Sequence, residues 1–304
     1  MLQDLSLNNK NTKAGNLHET AVNHFRNRDF NNLSKVCAQL LKENSNDYFA
    51  IEALLFCMKQ ENNIPAQEKC LEGLLRLKPI LRNLNDYAQF LYDQARFEES
   101  MILIQENLAS VREQKDSDLE VTNRILGNLS IKLGDIESAE QYYHMSLRLN
   151  PRSDNTISNV AALYLSQGDL DRARDYYQQA LKENQRNDKA WMGLAMCHLS
   201  KKDSQLFWAN IKNAIDIKPF EKKYLKFAAN QALVDCEYVY VTKKIEVFLR
   251  NYPLDEEMNS FLISLLFQAG KKQNAYLQLE HLKSVNPHHP DIIKYKEILG
   301  VSGD

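Results

Sequence analysis

The chain has 304 residues, 26% of them charged, and a formal net charge of −2. So even a balance argues against a general nucleic-acid binder, and no apolar run approaches the roughly 18 residues that membrane insertion needs. Five cysteines, odd in number, dispersed and without a C-x-x-C pair, argue against a disulfide framework or a zinc ribbon and predict buried free thiols in a reducing compartment.

In chain order, residues 1–13 are polar and asparagine-rich, which predicts a flexible tail. They carry no apolar core of a secretory signal, so the expected location is cytoplasmic. "HETAVNHFRNRDFNNLSKVCAQLLKEN" (His18–Asn44) reads as two helices with Arg28-Asp29-Phe30 at the turn. "YFAIEALLFCMKQENNIPAQEKCLEGLLRLKP" (Tyr48–Pro79) reads as a second pair, with Ala66, Cys70 and Gly73 as small contact residues. A third lies in Leu84–Val111 and is followed by a charged connection, "REQKDSD", which shifts the register by about five residues. Residues 14–119 therefore form about three irregular helix pairs.

From Glu120 the pattern becomes regular. Apolar residues at Val121, Ile125, Leu126, Leu129 and Leu133 predict a helix, Gly134-Asp135 a turn that tolerates left-handed geometry, and Ala139, Tyr143 and Leu147 a second helix, which Pro151 ends. Stepping forward 34 residues from Gly127, Gly134, Ala139 and Tyr143 gives Ala161, Gly168, Ala173 and Tyr177. Further steps from Pro151 reach Pro219, Pro253 and Pro287, and the turn glycine returns at Gly270. Residues 120–289 thus hold five units in unbroken register. In 290–304, Pro290 opens a last helix whose Ile292, Ile293, Tyr295, Ile298 and Leu299 are expected on one side, capping the array.

Leu126-Gly127, Gly134-Asp135, Ala139, Tyr143 and Pro151, with Tyr164, Gly168-Asp169, Ala173, Tyr177, Ala180-Leu181, Trp191, Leu194, Ala195, Ala214 and Pro219, resemble the tetratricopeptide repeat (TPR). The resemblance implies an all-α, right-handed solenoid of about eight helix hairpins with a C-terminal capping helix. Each hairpin would pack only on its neighbours.

Chemistry is hard to place on these residues. G-x-S-x-G, H-E-x-x-H, G-x-G-x-x-G and a phosphate-binding glycine loop are all missing from the sequence. His288-His289 lies between two prolines without partners at metal-ligand spacing, and His144 and His198 have no neighbouring nucleophile. The expectation is a protein without catalytic residues, metal or cofactor.

Function is then expected in the groove. In the family, the first helix of each pair lines the inner face, and its fifth and ninth positions, four residues apart, form one stripe. Here the candidates are Arg124 and Asn128, then Asn155 and Asn159, then Lys189 and Met192, then Lys223, Lys226 and Asn230. Such a stripe suits an extended acidic segment: amides satisfy its backbone, cations attract its carboxylates and methionine adapts to its apolar side chains. It resembles in part the carboxylate clamp of TPR co-chaperones. Arg124 stands where lysine is usual, Asn128, Asn159 and Lys189 agree, and Gly193 falls where an arginine belongs. Losing that arginine loses the bidentate hold, so a general peptide groove fits better. The expected role is a non-enzymatic scaffold or adaptor for a protein partner. The alternative is an accessory subunit of a protein-modification or assembly machine, as in glycosylation or flagellum and pilus assembly. The apolar side of the last helix also allows pairing between copies through the array ends.

Overall fold

The computed structural model describes residues 13–111 and 115–299; the predicted tail, apart from Lys13, lies outside them. The described residues hold seventeen α-helices, one short 3-10 turn and no strand. They divide into two compact units, Met1–Pro151 and Arg152–Asp304.

The first unit contains α1 (Lys13–Arg26), α2 (Phe30–Glu43), α3 (Tyr48–Gln60), α4 (Ile64–Leu77), α5 (Leu81–Asp93), α6 (Phe97–Asn107), α7 (Asp116–Lys132) and α8 (Ile136–Leu149). These form four hairpins, with the 3-10 turn Leu108–Ser110 after α6. The core is a relay of clusters. Leu33, Cys37 and Leu40 pack with Phe49, Ala53 and Cys57, then Ile51 and Leu55 with Leu71, Leu74 and Phe90, then Ala88 and Ile104 with Ile125, Leu126 and Leu129. Each cluster joins one hairpin of the unit to the next, which is how a solenoid distributes a core.

The second unit contains α9 (Asp154–Ser166), α10 (Leu170–Glu183), α11 (Asp188–Ser200), α12 (Ser204–Ile217), α13 (Lys222–Asp235), α14 (Tyr238–Asn251), α15 (Glu256–Gln268), α16 (Lys272–Val285) and α17 (Pro290–Leu299). Its first helices open at Asp154, Asp188, Lys222 and Glu256, 34 residues apart, and its second helices keep the same spacing. A large cluster runs from Ala195 and Phe207 through Leu225, Ala228 and Ile245 to Leu262 and Ala275. A smaller one joins Ile263, Leu279 and Leu282 to Ile292 and Tyr295 of α17.

The hairpin turns share one conformation. Arg28, Asn62, Ala95, Gly134, Gly168, Lys202, Cys236 and Gly270 all have positive φ, one in each hairpin. An N-cap residue follows each of them, and its side chain accepts a backbone N–H in five: Asp29, Asn63, Asp135, Asp169 and Asp203. That satisfies one of the orphan donors at the helix start.

Two expectations need correction, and one close contact is added. The connection after the third pair is shorter than read, because Asp116, Ser117 and Asp118 already belong to α7; acidic residues suit the positive end of a helix. Gly127 is a point of close helix approach, where a Cβ would lie 2.5 Å from Tyr143 Cε1. In α17, Ile292 and Tyr295 are buried but Ile293 is 68% exposed: positions i and i+3 share a helix face, whereas i+1 turns away.

Candidate functional site

In the second unit, α11, α13 and α15 are the first helices of three successive hairpins. Their shared face holds a cleft of about 520 Å³ lined by Met192, Met196, Lys222, Lys223, Lys226, Phe227, Asn230 and Glu257. The residues meet for a geometric reason. Met192 and Met196 are four apart on α11, as Lys226 and Asn230 are on α13, so each pair stands one above the other on its helix face.

The floor is apolar. Met192 is only 6% exposed and joins the surrounding core, whereas Met196 is 38% exposed; Phe227 packs partly buried beside them. The rim is charged. Lys226 Nζ lies 2.5 Å from Glu257 Oε1, and Lys222 Nζ lies 3.0 Å from Glu257 Oε2 and 2.8 Å from Asp255 Oδ2. The Lys226 ammonium, reinforced by Lys222, holds the Glu257 carboxyl below its ordinary range. Lys223 and Asn230 are exposed, and Lys223 has no ion-pair partner among the described residues.

Neighbouring polar contacts hold these helices in place. The Tyr224 hydroxyl donates to Asp188 Oδ2 at 2.5 Å, and Lys218 Nζ is 3.1 Å from the same oxygen. The first ties the start of α13 to the start of α11, and the second brings the end of α12 to the same carboxylate. Asp255 accepts from Met258 N at 3.0 Å as the N-cap of α15 while receiving Lys222, which fixes α15 against α13.

The cleft gathers four of the nine residues expected from sequence: Met192, Lys223, Lys226 and Asn230. Asn155 and Lys189 are exposed and Asn159 is half-buried on α9 and α11, outside the cleft lining. Arg124 and Asn128 stand on α7 of the first unit. There Arg124 Nε is 3.9 Å from Glu120, and Asn128 Oδ1 accepts from the Tyr143 hydroxyl at 2.9 Å. The stripe is also less purely basic than expected, because carboxylates meet Arg124, Lys222 and Lys226.

Met196, Lys222, Phe227 and Glu257 were missed, although position within the repeat marks three of them. Met196 is the ninth residue of its unit, like Asn230. Phe227 is the sixth, like Asn159, and Glu257 is the second, like Lys189 and Lys223. At Gly193, a Cβ would lie 2.0 Å from Cζ of Tyr177. A tyrosine ring from α10 thus fills the space that an arginine of the clamp would enter.

The described residues contain no group of three or more metal-ligating side chains and no helix long and apolar enough to cross a membrane.

Family models described as tetratricopeptide repeat match residues 125–153 and 161–210. Among solved structures, PilF of Pseudomonas aeruginosa is similar at 19% identity, over 71% of this chain and 97% of that one, with a TM-score of 0.54. PilW, a type IV pilus biogenesis factor, is similar at 17% identity, over 72% and 99%, with a TM-score of 0.57. The human IFIT1 dimer with m7Gppp-AAAA is similar at 13% identity, over 84% and 68%, with a TM-score of 0.56. At such identities the likeness concerns the fold alone. No curated protein matches by sequence. Repeat spacing, turn geometry and family models agree that the chain carries tetratricopeptide repeats, matched over residues 125–153 and 161–210, and such repeats support a protein-interaction scaffold.

Proposed function

We propose that this protein is a non-catalytic scaffold that holds an extended, acidic segment of a partner protein across the face of α11, α13 and α15. The single observation that carries the reading is the cleft itself, a Met192, Met196 and Phe227 floor beneath the Lys223 and Lys226 rim. A peptide side chain entering it trades water for apolar contact, methionine adapts to several shapes, and the lysines draw in and orient carboxylates. Asn230 offers an amide that both donates and accepts, as an extended backbone requires. Such a segment is ordered on binding, which offsets part of the contact energy. Affinity in the micromolar range follows, on the order of −8 kcal/mol.

The role of PilW in type IV pilus biogenesis belongs to that protein; at 17% identity it supplies no argument for a place in an assembly machine here.

Capture of partners from a lysate by the full chain, followed by titration with the recovered segment, tests the proposal. Lys223→Glu together with Lys226→Glu should weaken binding about tenfold or more while helicity and melting hold. Undiminished binding by the folded double variant removes the cleft from consideration.

A further inference from the structure

Glu257 sits in the first turn of α15 and reaches across to α13, where one carboxylate oxygen meets Lys226 at 2.5 Å and the other meets Lys222 at 3.0 Å. Its side chain is 41% exposed and lines the cleft. The two lysines differ in what else holds them. Lys222 also meets Asp255, whose other oxygen is committed to the α15 N-cap. Lys226 has Glu257 as its one carboxylate partner among the described residues.

We infer that Glu257 is a built-in competitor for the cleft: its carboxylate occupies the place on Lys226 that a carboxylate of the bound segment takes, and it swings aside when the segment binds. The inference rests on the reading of the cleft as a segment-binding site and adds the ligand chemistry, an apolar side chain on Met196 and Phe227 next to a carboxylate on Lys226. Three features favour this over a purely structural ion pair. The pair lies at a solvent-open rim, where such contacts are weak enough to exchange. Lys222 keeps Asp255 when Glu257 leaves, so α13 and α15 stay tied. Lys223, exposed beside the pair, adds attraction for an incoming anion with no carboxylate of its own to release.

The competitor also sets specificity. A neutral segment gains little by displacing Glu257, since Lys226 would then lose a partner without gaining another. An acidic segment exchanges one carboxylate for another and gains Lys223 as well. Glu257 therefore filters ligands by charge as well as lowering their affinity.

The test uses the full chain and its Glu257→Gln variant with two pools of labelled octapeptides, one carrying a leucine flanked by glutamates and the other with glutamine in place of glutamate. Glu257→Gln should bind the glutamate pool roughly two- to fivefold more tightly than the parent and leave the glutamine pool unchanged. Glu257→Asp, which keeps the charge near the α15 N-terminus but shortens the reach, should move in the same direction; thermal melting confirms that both variants fold. Equal or weaker binding of the glutamate pool by the folded variants overturns the competitor role while the segment-binding reading stands. If the parent chain retains neither pool, or both pools equally, the acidic-segment reading fails and the inference falls with it.

Discussion

At the scale of single residues, Gly193 shows how a packing contact decides what chemistry a repeat can offer. Helix propensity alone says that alanine is better than glycine inside α11 by about 1 kcal/mol. Packing says the reverse. An added Cβ would fall 2.0 Å from Tyr177 Cζ and 2.3 Å from two further ring carbons, and Tyr177 is buried. Gly193→Ala should therefore lower stability by about 1–3 kcal/mol, the usual cost of overpacking. Gly73 is the internal control: a Cβ there meets Ile51 at 3.6 Å, an ordinary contact, so Gly73→Ala should be neutral or stabilising. Urea unfolding of the two variants checks both signs. A stable Gly193→Ala would mean that the ring of Tyr177 yields, and the clamp arginine would then no longer be sterically excluded. The same contact explains why the clamp resemblance stopped where it did.

At the scale of the hairpin, eight turns adopt one left-handed backbone shape, three with glycine and five without. Left-handed geometry costs an ordinary residue about 1–2 kcal/mol through the clash of its Cβ with the backbone, and glycine avoids this. Ala95 and Lys202 are exposed turn residues at φ 58° and 60°. Ala95→Gly and Lys202→Gly should each raise stability by about 1 kcal/mol, read as a higher urea midpoint with an unchanged slope; a lower midpoint would show that the side chain makes contacts worth more than the strain. The turns also explain how far the fold was legible in sequence. Gly134-Asp135 and Gly168-Asp169 announce both the left-handed residue and the cap that follows. Arg28 and Ala95 meet the same backbone demand with residues that carry no turn signature, and Asn62 with a weaker one than glycine, so the upstream hairpins were visible mainly through their apolar stripes. The cleft was half legible for a similar reason. Cations and amides on the inner helices mark Lys223, Lys226 and Asn230 in the sequence, whereas Glu257 reads there as a favourable acid in a helix first turn. Its reach across to α13 is a property of the stacked hairpins, not of α15.

At the scale of the whole chain, stability in a repeat array is a sum over hairpins and their interfaces, so opening need not be all-or-none. The cysteines are placed to report it. Cys37, Cys57, Cys70 and Cys197 are buried and Cys236 is exposed. Burial pushes the Cys37 thiol up to about 12 and those of Cys57 and Cys70 to about 11. The thiolate is the reactive form, so near neutral pH an alkylating reagent should modify Cys236 at once and the four buried thiols only through local opening. The order of opening follows from the turns. In the first unit Arg28, Asn62 and Ala95 hold left-handed geometry without glycine, whereas in the second only Lys202 and Cys236 do so, and the second unit keeps an unbroken 34-residue helix spacing. With rising urea, Cys37, Cys57 and Cys70 should become reactive before Cys197, resolved by mass spectrometry of the labelled peptides. A single shared midpoint for all four would mean that the array unfolds as one cooperative body; Cys197 opening first would mean that turn strain does not set the order, and that the interfaces between hairpins dominate it instead.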